Sequence, residues 1–442
     1  MAVWSIVEFA QLGEDFMLAA EHYHPAKLRT LSRLASLSGR TVGELFEEVQ
    51  DTVRPGTVEG PARLYDLTDA LGSLLRPGTD ITEADFLSNR KRVQTGDIIV
   101  SRLRSYLKEI VVVPALPHVL LVSPEFIVLR LRPESGLTSG AWLLPYLLSE
   151  PVQTILQWSQ TGSAHPRFNS DTLLAIRIPE AIIQLADNLS ESVEAAHQTV
   201  ASSNVLYNEA EVLLLHELGL DRLQLPTTKT YTASFVEVMA AERMDAEFYQ
   251  PKYQRTLAAL RKTGLTVGMV ARPVRSKFRP KPGGFFQYIE IGGVVEGGRL
   301  EPELVPMDEA PSRAQTVLEA GDVVTSSVRP LRRLTGFVSQ AQAGAIGTSG
   351  FIALRPTATT PEVLTVYLRL PLICEILDLY TTASMYPTIS ESDVLAFPFP
   401  RLSEGAQQDI SALVQKGLAA RQEAMQLLAA AQRRVEEFID NV

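Results

Sequence analysis

Three sets of residues could do chemistry. His22 and His24 are spaced like two ligands on one strand, while His118, His165, His197 and His216 are scattered. Ser163 and Ser384 recur in similar loops, but a nucleophilic serine needs a base and an acid beside it, and neither serine has that set as a neighbour. The third set is cationic. Of 41 Lys and Arg, nine are lysine, which leaves 41 − 9 = 32 arginines. A guanidinium fork matches phosphate and guanine with two parallel hydrogen bonds, so arginine in loops points to nucleic acid.

Familiar catalytic signatures are missing. No acidic residue or Asn precedes a Pro-Pro-aromatic run, as it would in an amino-methyltransferase. No lysine follows a glycine, which removes the Walker loop. No lysine has an acid two positions before it, as many metal-dependent nucleases do. Gly292-Gly293 and Gly297-Gly298 read as tight turns in a hairpin around Val294-Val295. The lone Cys374 allows neither an internal disulfide nor a multi-cysteine zinc site, and it fits a reducing cytoplasm. No apolar run reaches the ~18–20 residues of a membrane span, and the N-terminus lacks a basic leader and cleavage site. A net charge of −10 argues against DNA, whose affinity comes largely from phosphate neutralisation. The charges are segregated, however. Glu180 to Asp221 holds eight acids and no Lys or Arg, whereas Ala271 to Gly284 holds Arg272, Arg275, Lys277, Arg279 and Lys281 with no acid. Arg90 to Lys108 holds six basic residues against Asp97 alone. The alternative reading of each basic run is a solvated loop.

The sequence repeats itself at about 225 residues. Ala20-Glu21-His22-Tyr23-His24-Pro25 returns as Ala246-Glu247-Phe248-Tyr249-Gln250-Pro251. Gly39 with Thr41-Val42-Gly43 returns as Gly264 with Thr266-Val267-Gly268. Thr95 to Ser101 returns as Ala320 to Ser326, with Arg104 matching Arg329. Tyr146 to Pro179 parallels Tyr367 to Pro400, and inside it Thr161-Gly162-Ser163-Ala164-His165-Pro166 matches Thr382-Ala383-Ser384-Met385-Tyr386-Pro387 without a gap. Four anchors in one order mean duplicated domains. In the second copy His22, His24 and His165 become Phe248, Gln250 and Tyr386, so no metal site is expected.

Each copy ends in a long helix candidate. Ile182, Leu185, Leu189, Val193, Ala196, Val200, Tyr207, Ala210, Leu214 and Leu218 form one apolar stripe, interrupted by Ser203 and stopped by Gly219. Ala406, Ile410, Leu413, Ala420, Ala424, Leu427, Ala431, Val435 and Phe438 form another, with Gly417 a weak point. Some 36 residues at ~1.5 Å each make a rod of roughly 55 Å. Two such single-striped rods should pair with each other as a coiled coil; the alternative packs each on its own domain. Strands are predicted at Asp97–Val100, Val119–Val122, Phe126–Leu131, Tyr288–Ile291, Asp322–Thr325 and Phe351–Leu354, and helices at Ala141–Gln160 and Pro361–Tyr380. The fold class is therefore α/β (α+β) domains in tandem duplication, each followed by a long α-helix. The boundaries are an N-terminal extension at 1–19, a first domain at 20–180, a first helix at 181–220, a linker at 221–245, a second domain at 246–402 and a second helix at 403–442.

Gly96-Asp97-Ile98-Ile99-Val100-Ser101-Arg102 resembles the recurring signature of target recognition domains in specificity subunits of type I restriction–modification systems. Thr161-Gly162-Ser163 with Pro166, then Leu173 to Pro179, resembles it too, as does the order domain, helix, domain, helix from Ala20 to Val442. The resemblance implies a non-catalytic chain. Each domain would read one half of a split double-stranded DNA site, and the helices would dock adenine-N6 methyltransferase subunits. S-adenosylmethionine would belong to those partners, so no cofactor is expected in this chain; a motor–nuclease subunit is a further possible partner. DNA-contact candidates lie in the matched loops: Arg102, Arg104, Lys108, Ser163, His165 and Arg167 in copy one, and Ser327, Arg329, Arg332, Arg333, Ser384, Tyr386 and Thr388 in copy two. The run Arg275, Lys277, Arg279 and Lys281 adds a flexible basic arm kept extended by Pro280 and Pro282. Leu189, Val200, Leu214, Leu413, Leu427 and Val435 are the partner-binding candidates on the helices. Two other readings stay open. One is a recognition module for another phage-defence effector, such as a phage-exclusion methyltransferase or nuclease. The other is a protein-binding coiled-coil scaffold, which the acidic balance favours and the loop arginines oppose.

Overall fold

A glycine and an aspartate open a buried strand twice in this chain. Gly96 and Gly321 turn with φ of +85° and +84°, a left-handed conformation that costs glycine little. The carboxylate that follows faces inward. Asp97 accepts the Gln94 amide at 2.8 Å and two bonds from the Arg130 guanidinium at 2.8 and 2.7 Å. Asp322 accepts the Glu319 amide at 2.8 Å and two bonds from Arg355 at 2.7 and 2.9 Å. Asp97 is 2% exposed and Asp322 fully buried, so each charge depends on its partner. The same bonds push both arginines further above their usual range.

The computed structural model describes residues 4–7, 19–58, 60–76, 78–81, 87–162, 164–226, 228–262, 264–382 and 385–440. Two compact units result, Met1–Val200 with Gln422–Val442, and Ala201–Arg421. In the first, an antiparallel sheet runs in the order Phe46–Glu48, Phe126–Leu131, Ile98–Ser101, Ile110–Val112. A second sheet runs Thr52–Val53, Arg90–Val93, Val119–Val122, Ala62–Tyr65, Thr79–Ile81, and its one parallel pair is Ala62–Tyr65 with Val119–Val122. Gly39–Thr41 pairs with Arg177–Pro179. In the second unit the antiparallel sheet runs Ala271–Pro273, Phe351–Pro356, Val323–Ser326, Thr335–Phe337. Its companion runs Glu303–Pro306, Phe285–Ile289, Ile346–Thr348, Ala314–Val317, again with one parallel pair, Phe285–Ile289 with Ile346–Thr348. Leu265–Thr266 pairs with Pro398–Phe399.

Alternation along the strands feeds two cores. Ile98, Val100, Ile127 and Leu129 join a cluster with the helices, while Ile99, Phe126 and Val128 join a separate cluster on the opposite face. The same division puts Val323 and Leu354 in one core and Val324 and Ala353 in another. A strand buried on both faces reads as an unbroken aliphatic run, which is why these strands are plain in the sequence.

Several expectations need correction. The helix expected at 141–160 is two, Leu143–Leu148 and Glu150–Gln157, and that at 361–380 is also two, Pro361–Arg369 and Pro371–Leu379. Pro151 and Pro371 sit in the first turn of the second helix of each pair, where proline is tolerated but cannot continue the helix before it. The expected linker contains a helix, Phe235–Ala241, capped reciprocally by Ser234 and Glu237. Gly292 and Gly293 lie in one turn of 3-10 helix, Ile291–Gly293, and Gly297 and Gly298 in another, Glu296–Gly298, as the expected tight turns of a hairpin that pairs Val294 with Leu300.

The long helices are Ala186–Glu217 and Glu404–Asp440. Burial along the first falls on Ala186, Leu189, Val193, Ala196 and Val200, then on Ser203, Ala210 and Leu214. Along the second it falls on Ala406, Ile410, Val414, Gly417, Arg421, Ala424, Leu428, Ala431, Val435 and Ile439. The expected stripe through Leu413, Ala420, Leu427 and Phe438 is therefore one residue off: Val414, Arg421, Leu428 and Ile439 hold the buried positions. Ser203 does not interrupt its stripe. It is buried and donates its hydroxyl to the Gly417 carbonyl at 2.7 Å. A Cβ at Gly417 would stand 3.2 Å from the Ser203 carbonyl oxygen. Glycine there lets two backbones approach. Leu189, Val200, Leu214 and Val435 are buried, with Leu413 and Leu427 packed against the same cores. These six side chains are taken up wholly or partly by intramolecular packing, so they are not the free partner-binding positions expected. Among the described residues no helix is long and apolar enough to cross a membrane.

Asp97→Ala should lower the stability of the first unit by about 3 kcal/mol, because it leaves Arg130 without its partner beside a core. Asp322→Ala should cost less, since Glu319 stays 2.7 Å from Arg355. Denaturant midpoints of the two variants measure the difference.

Candidate nucleic-acid interface

Ser101 and Ser326 end the strands that the two aspartates begin. Each hydroxyl donates to the carbonyl two residues on, Leu103 at 3.1 Å and Val328 at 2.9 Å, which turns the chain outward. A left-handed residue follows, Arg104 at φ +49° and Arg329 at φ +52°. One turn of 3-10 helix leads to a second, Lys108 at φ +52° and Arg333 at φ +57°. Non-glycine residues in this region carry strain that surrounding structure must hold.

A second loop does the holding. The Arg104 amide donates to the Pro166 carbonyl at 3.0 Å, and the Phe168 amide to the Arg102 carbonyl at 3.1 Å. In the second unit the Arg329 amide donates to Pro387 at 2.9 Å, and Ile389 to Ser327 at 2.9 Å. The second loop is itself closed by Thr161 against Arg167, and by Thr382 against Thr388. Segments some 60 residues apart in sequence are thus zipped together in each unit. Arg102, Arg104, Lys108, His165 and Arg167 lie on the first zipped pair, and Ser327, Arg329, Arg332, Tyr386 and Thr388 on the second. Ser163 and Ser384 lie outside the described residues.

Side chains on this common frame differ. In the first unit Arg167 donates two bonds of 2.9 Å to the Glu125 carboxylate, and Arg102 Nε stands 3.5 Å from the same group. The Arg167 bonds hold Glu125 below the usual carboxylate range. Glu125 was not among the expected site residues. Its strand, Phe126-Ile127-Val128-Leu129-Arg130, matches Phe351-Ile352-Ala353-Leu354-Arg355 at an offset of 225, and extending that match one residue back pairs Glu125 with Gly350. In the second unit Tyr386 is exposed, and the Arg329 guanidinium lies 5.8 Å from its ring centre, within cation–π range.

Other expected contacts are engaged elsewhere. Arg333 donates to the Arg369 carbonyl at 2.6 Å and pairs with Glu211 of the first long helix, so it anchors the loop instead of facing a ligand. Burial raises the Glu211 pKa against that pairing. Arg275 pairs with Glu391 at 2.5 Å. The basic arm is not flexible: Phe278 donates to Gln315 at 2.7 Å, Val317 to Ser276 at 2.8 Å, and Lys277 bridges Thr316. It forms a sheet edge, with Phe278 packed on Phe286 at 4.9 Å between ring centres. Lys277, Arg279 and Lys281 are exposed along it. Cys374 is buried and burial pushes its thiol up to about 12, so it is a packing residue. No group of three or more His, Cys, Asp or Glu able to hold a metal occurs among the described residues.

No protein-family model and no curated protein matches the chain. Among solved structures it is similar to a component of a type I restriction–modification system studied for its complex assembly and conformational transition. The identity is 18%, covering 91% of this chain and 96% of that one, with a TM-score of 0.32. It is also similar to the HsdS subunit from Thermoanaerobacter tengcongensis, at 16% identity over 91% of this chain and 95% of the other, with a TM-score of 0.32.

Arg329→Ala should weaken binding of duplex DNA carrying the target by about 1–3 kcal/mol. A fluorescence anisotropy titration reads the change, and an unchanged affinity removes Arg329 from the interface.

Proposed function

We propose that the chain is a non-catalytic specificity subunit of a type I restriction–modification complex, built by tandem duplication, in which each recognition domain reads one half of a split double-stranded DNA site. The observation that carries this reading is the pair of zipped loops. Their backbone bonds are the same in both units, while Arg102, Glu125 and Arg167 give way to Ser327, Gly350 and Thr388. A catalytic duplication would be expected to keep its reacting side chains. A recognition duplication keeps its frame and varies what the frame displays, because base contacts specify and backbone position only registers them.

The long helices are proposed to pair as an antiparallel coiled coil. From Ala186 to Ser203 and from Ile410 to Val435 the stripe of buried positions steps alternately by three and four, the spacing of roughly 3.5 that seams two helices. Ser203 meets Gly417, while Ala210 and Leu214 share a core with Ile410 and Val414, so numbers rise on one helix as they fall on the other. Exposed faces of this pair would dock adenine-N6 methyltransferase subunits, which bring S-adenosylmethionine, and a motor–nuclease subunit could join them. A cytoplasmic setting suits such an assembly.

Mapping N6-methyladenine across the host genome, with and without this gene, tests the proposal. Loss of one split motif on deletion is expected; an unchanged methylome rejects service to a methyltransferase. Independently, Leu427→Pro should abolish co-purification with the methyltransferase, since proline within a helix removes a hydrogen bond and clashes with the preceding turn. Retained assembly would reject the helices as the docking element.

A further inference from the structure

We infer that Arg102 reads a guanine in one half-site and that Glu125, fixed by Arg167, is the positioning residue that aims it; this rests on the specificity-subunit reading above. The three side chains have different amounts of hydrogen-bonding capacity left. Arg167 uses Nε and Nη2 on Glu125 and Nη1 on the His165 carbonyl at 3.2 Å. Three of its five N–H groups are used internally, and its charge is paired with Glu125. Glu125 is held by both carboxylate oxygens and cannot swing away without breaking two charge-assisted bonds. Arg102 offers this carboxylate only its Nε, at 3.5 Å. Its two terminal nitrogens meet no acceptor among the described residues, and its side chain is 44% exposed. A fixed carboxylate beside a guanidinium that is 44% exposed holds it by charge and leaves its Nη edge available to a ligand. That edge matches the O6 and N7 acceptors of guanine in the major groove.

The second unit shows what the frame does without this device. Ser327 donates its hydroxyl to Gly350 at 2.9 Å, so the position equivalent to Arg102 is closed upon the backbone. Gly350 has no carboxylate to aim anything, and Thr388 has no charge to fix one. All three members differ together, as expected if they act as one unit, and the two half-sites should then differ in this guanine.

The test selects bound sequences from a random duplex DNA library with the full-length chain and with Arg102→Lys, Glu125→Gln and Glu125→Asp. Wild type should enrich a two-part sequence with a guanine in one part. Arg102→Lys keeps the charge and loses the fork, so it should lose that guanine alone and bind the enriched duplex about tenfold to a hundredfold more weakly. Glu125→Gln should weaken the same preference, and Glu125→Asp should restore part of it. Retention of the other half-site in every variant is the internal control for folding. A guanine preference that survives Arg102→Lys overturns the inference for Arg102, and one unaffected by Glu125→Gln overturns the positioning role. Loss of both halves at once overturns a local role for the cluster. A wild type that enriches no sequence overturns the specificity-subunit reading itself.

Discussion

Four backbone hydrogen bonds, two in each unit, hold the loop after the Gly-Asp strand against a loop some 60 residues further along. The candidate interface depends on them. They are made by amides and carbonyls, so they place no demand on side-chain identity apart from tolerance of the left-handed positions at Arg104, Lys108, Arg329 and Arg333. A surface registered by its backbone can change its chemistry without losing its shape. Beneath it, the Asp97–Arg130 and Asp322–Arg355 pairs fix the strands from which the first loop departs. The Gly-Asp motif that carries the resemblance is therefore structural, and the candidate contacts lie a few residues beyond it.

What could be read from the sequence follows from how local each signal is. The strands Val119–Val122 and Phe126–Leu131 fall where predicted, because burial on both faces makes their aliphatic runs continuous. The long helices were legible in extent but not in face. Gly417 and Arg421 occupy the buried seam, and neither looks like a core residue, so the stripe was drawn through Leu413 and Leu427 instead of Val414 and Leu428. Arg421 is admitted because Glu296, 3.1 Å away, meets its charge. That partner is 125 residues distant in sequence and carries no local sign.

The loops show the same limit from the other direction. Each basic residue advertises itself in a sequence, but whether it faces outward depends on acids elsewhere. Glu211, Glu391 and Glu125 claim Arg333, Arg275 and Arg167 from distances of 122, 116 and 42 residues. Glu125 was the one recoverable case. Its strand repeats without a gap as Phe351 to Arg355, and the change from Glu to Gly at the head of that match was visible beside the change from Arg102 to Ser327.

Under the proposed reading, these pairings bear on how an acidic chain meets DNA. A net charge of −10 opposes approach to phosphate at long range, and screening at physiological salt confines that opposition to roughly 8 Å. Within that distance the decisive quantity is the set of cations left unneutralised on the loops. Internal pairing removes Arg167, Arg275 and Arg333 from that set and leaves Arg102 partly engaged. Lys277, Arg279 and Lys281 stay exposed and can meet phosphate, while each internal pairing lowers the share of binding that does not depend on the base. In a recognition module of the kind proposed, the carboxylates that claim these arginines would contribute to specificity by that route.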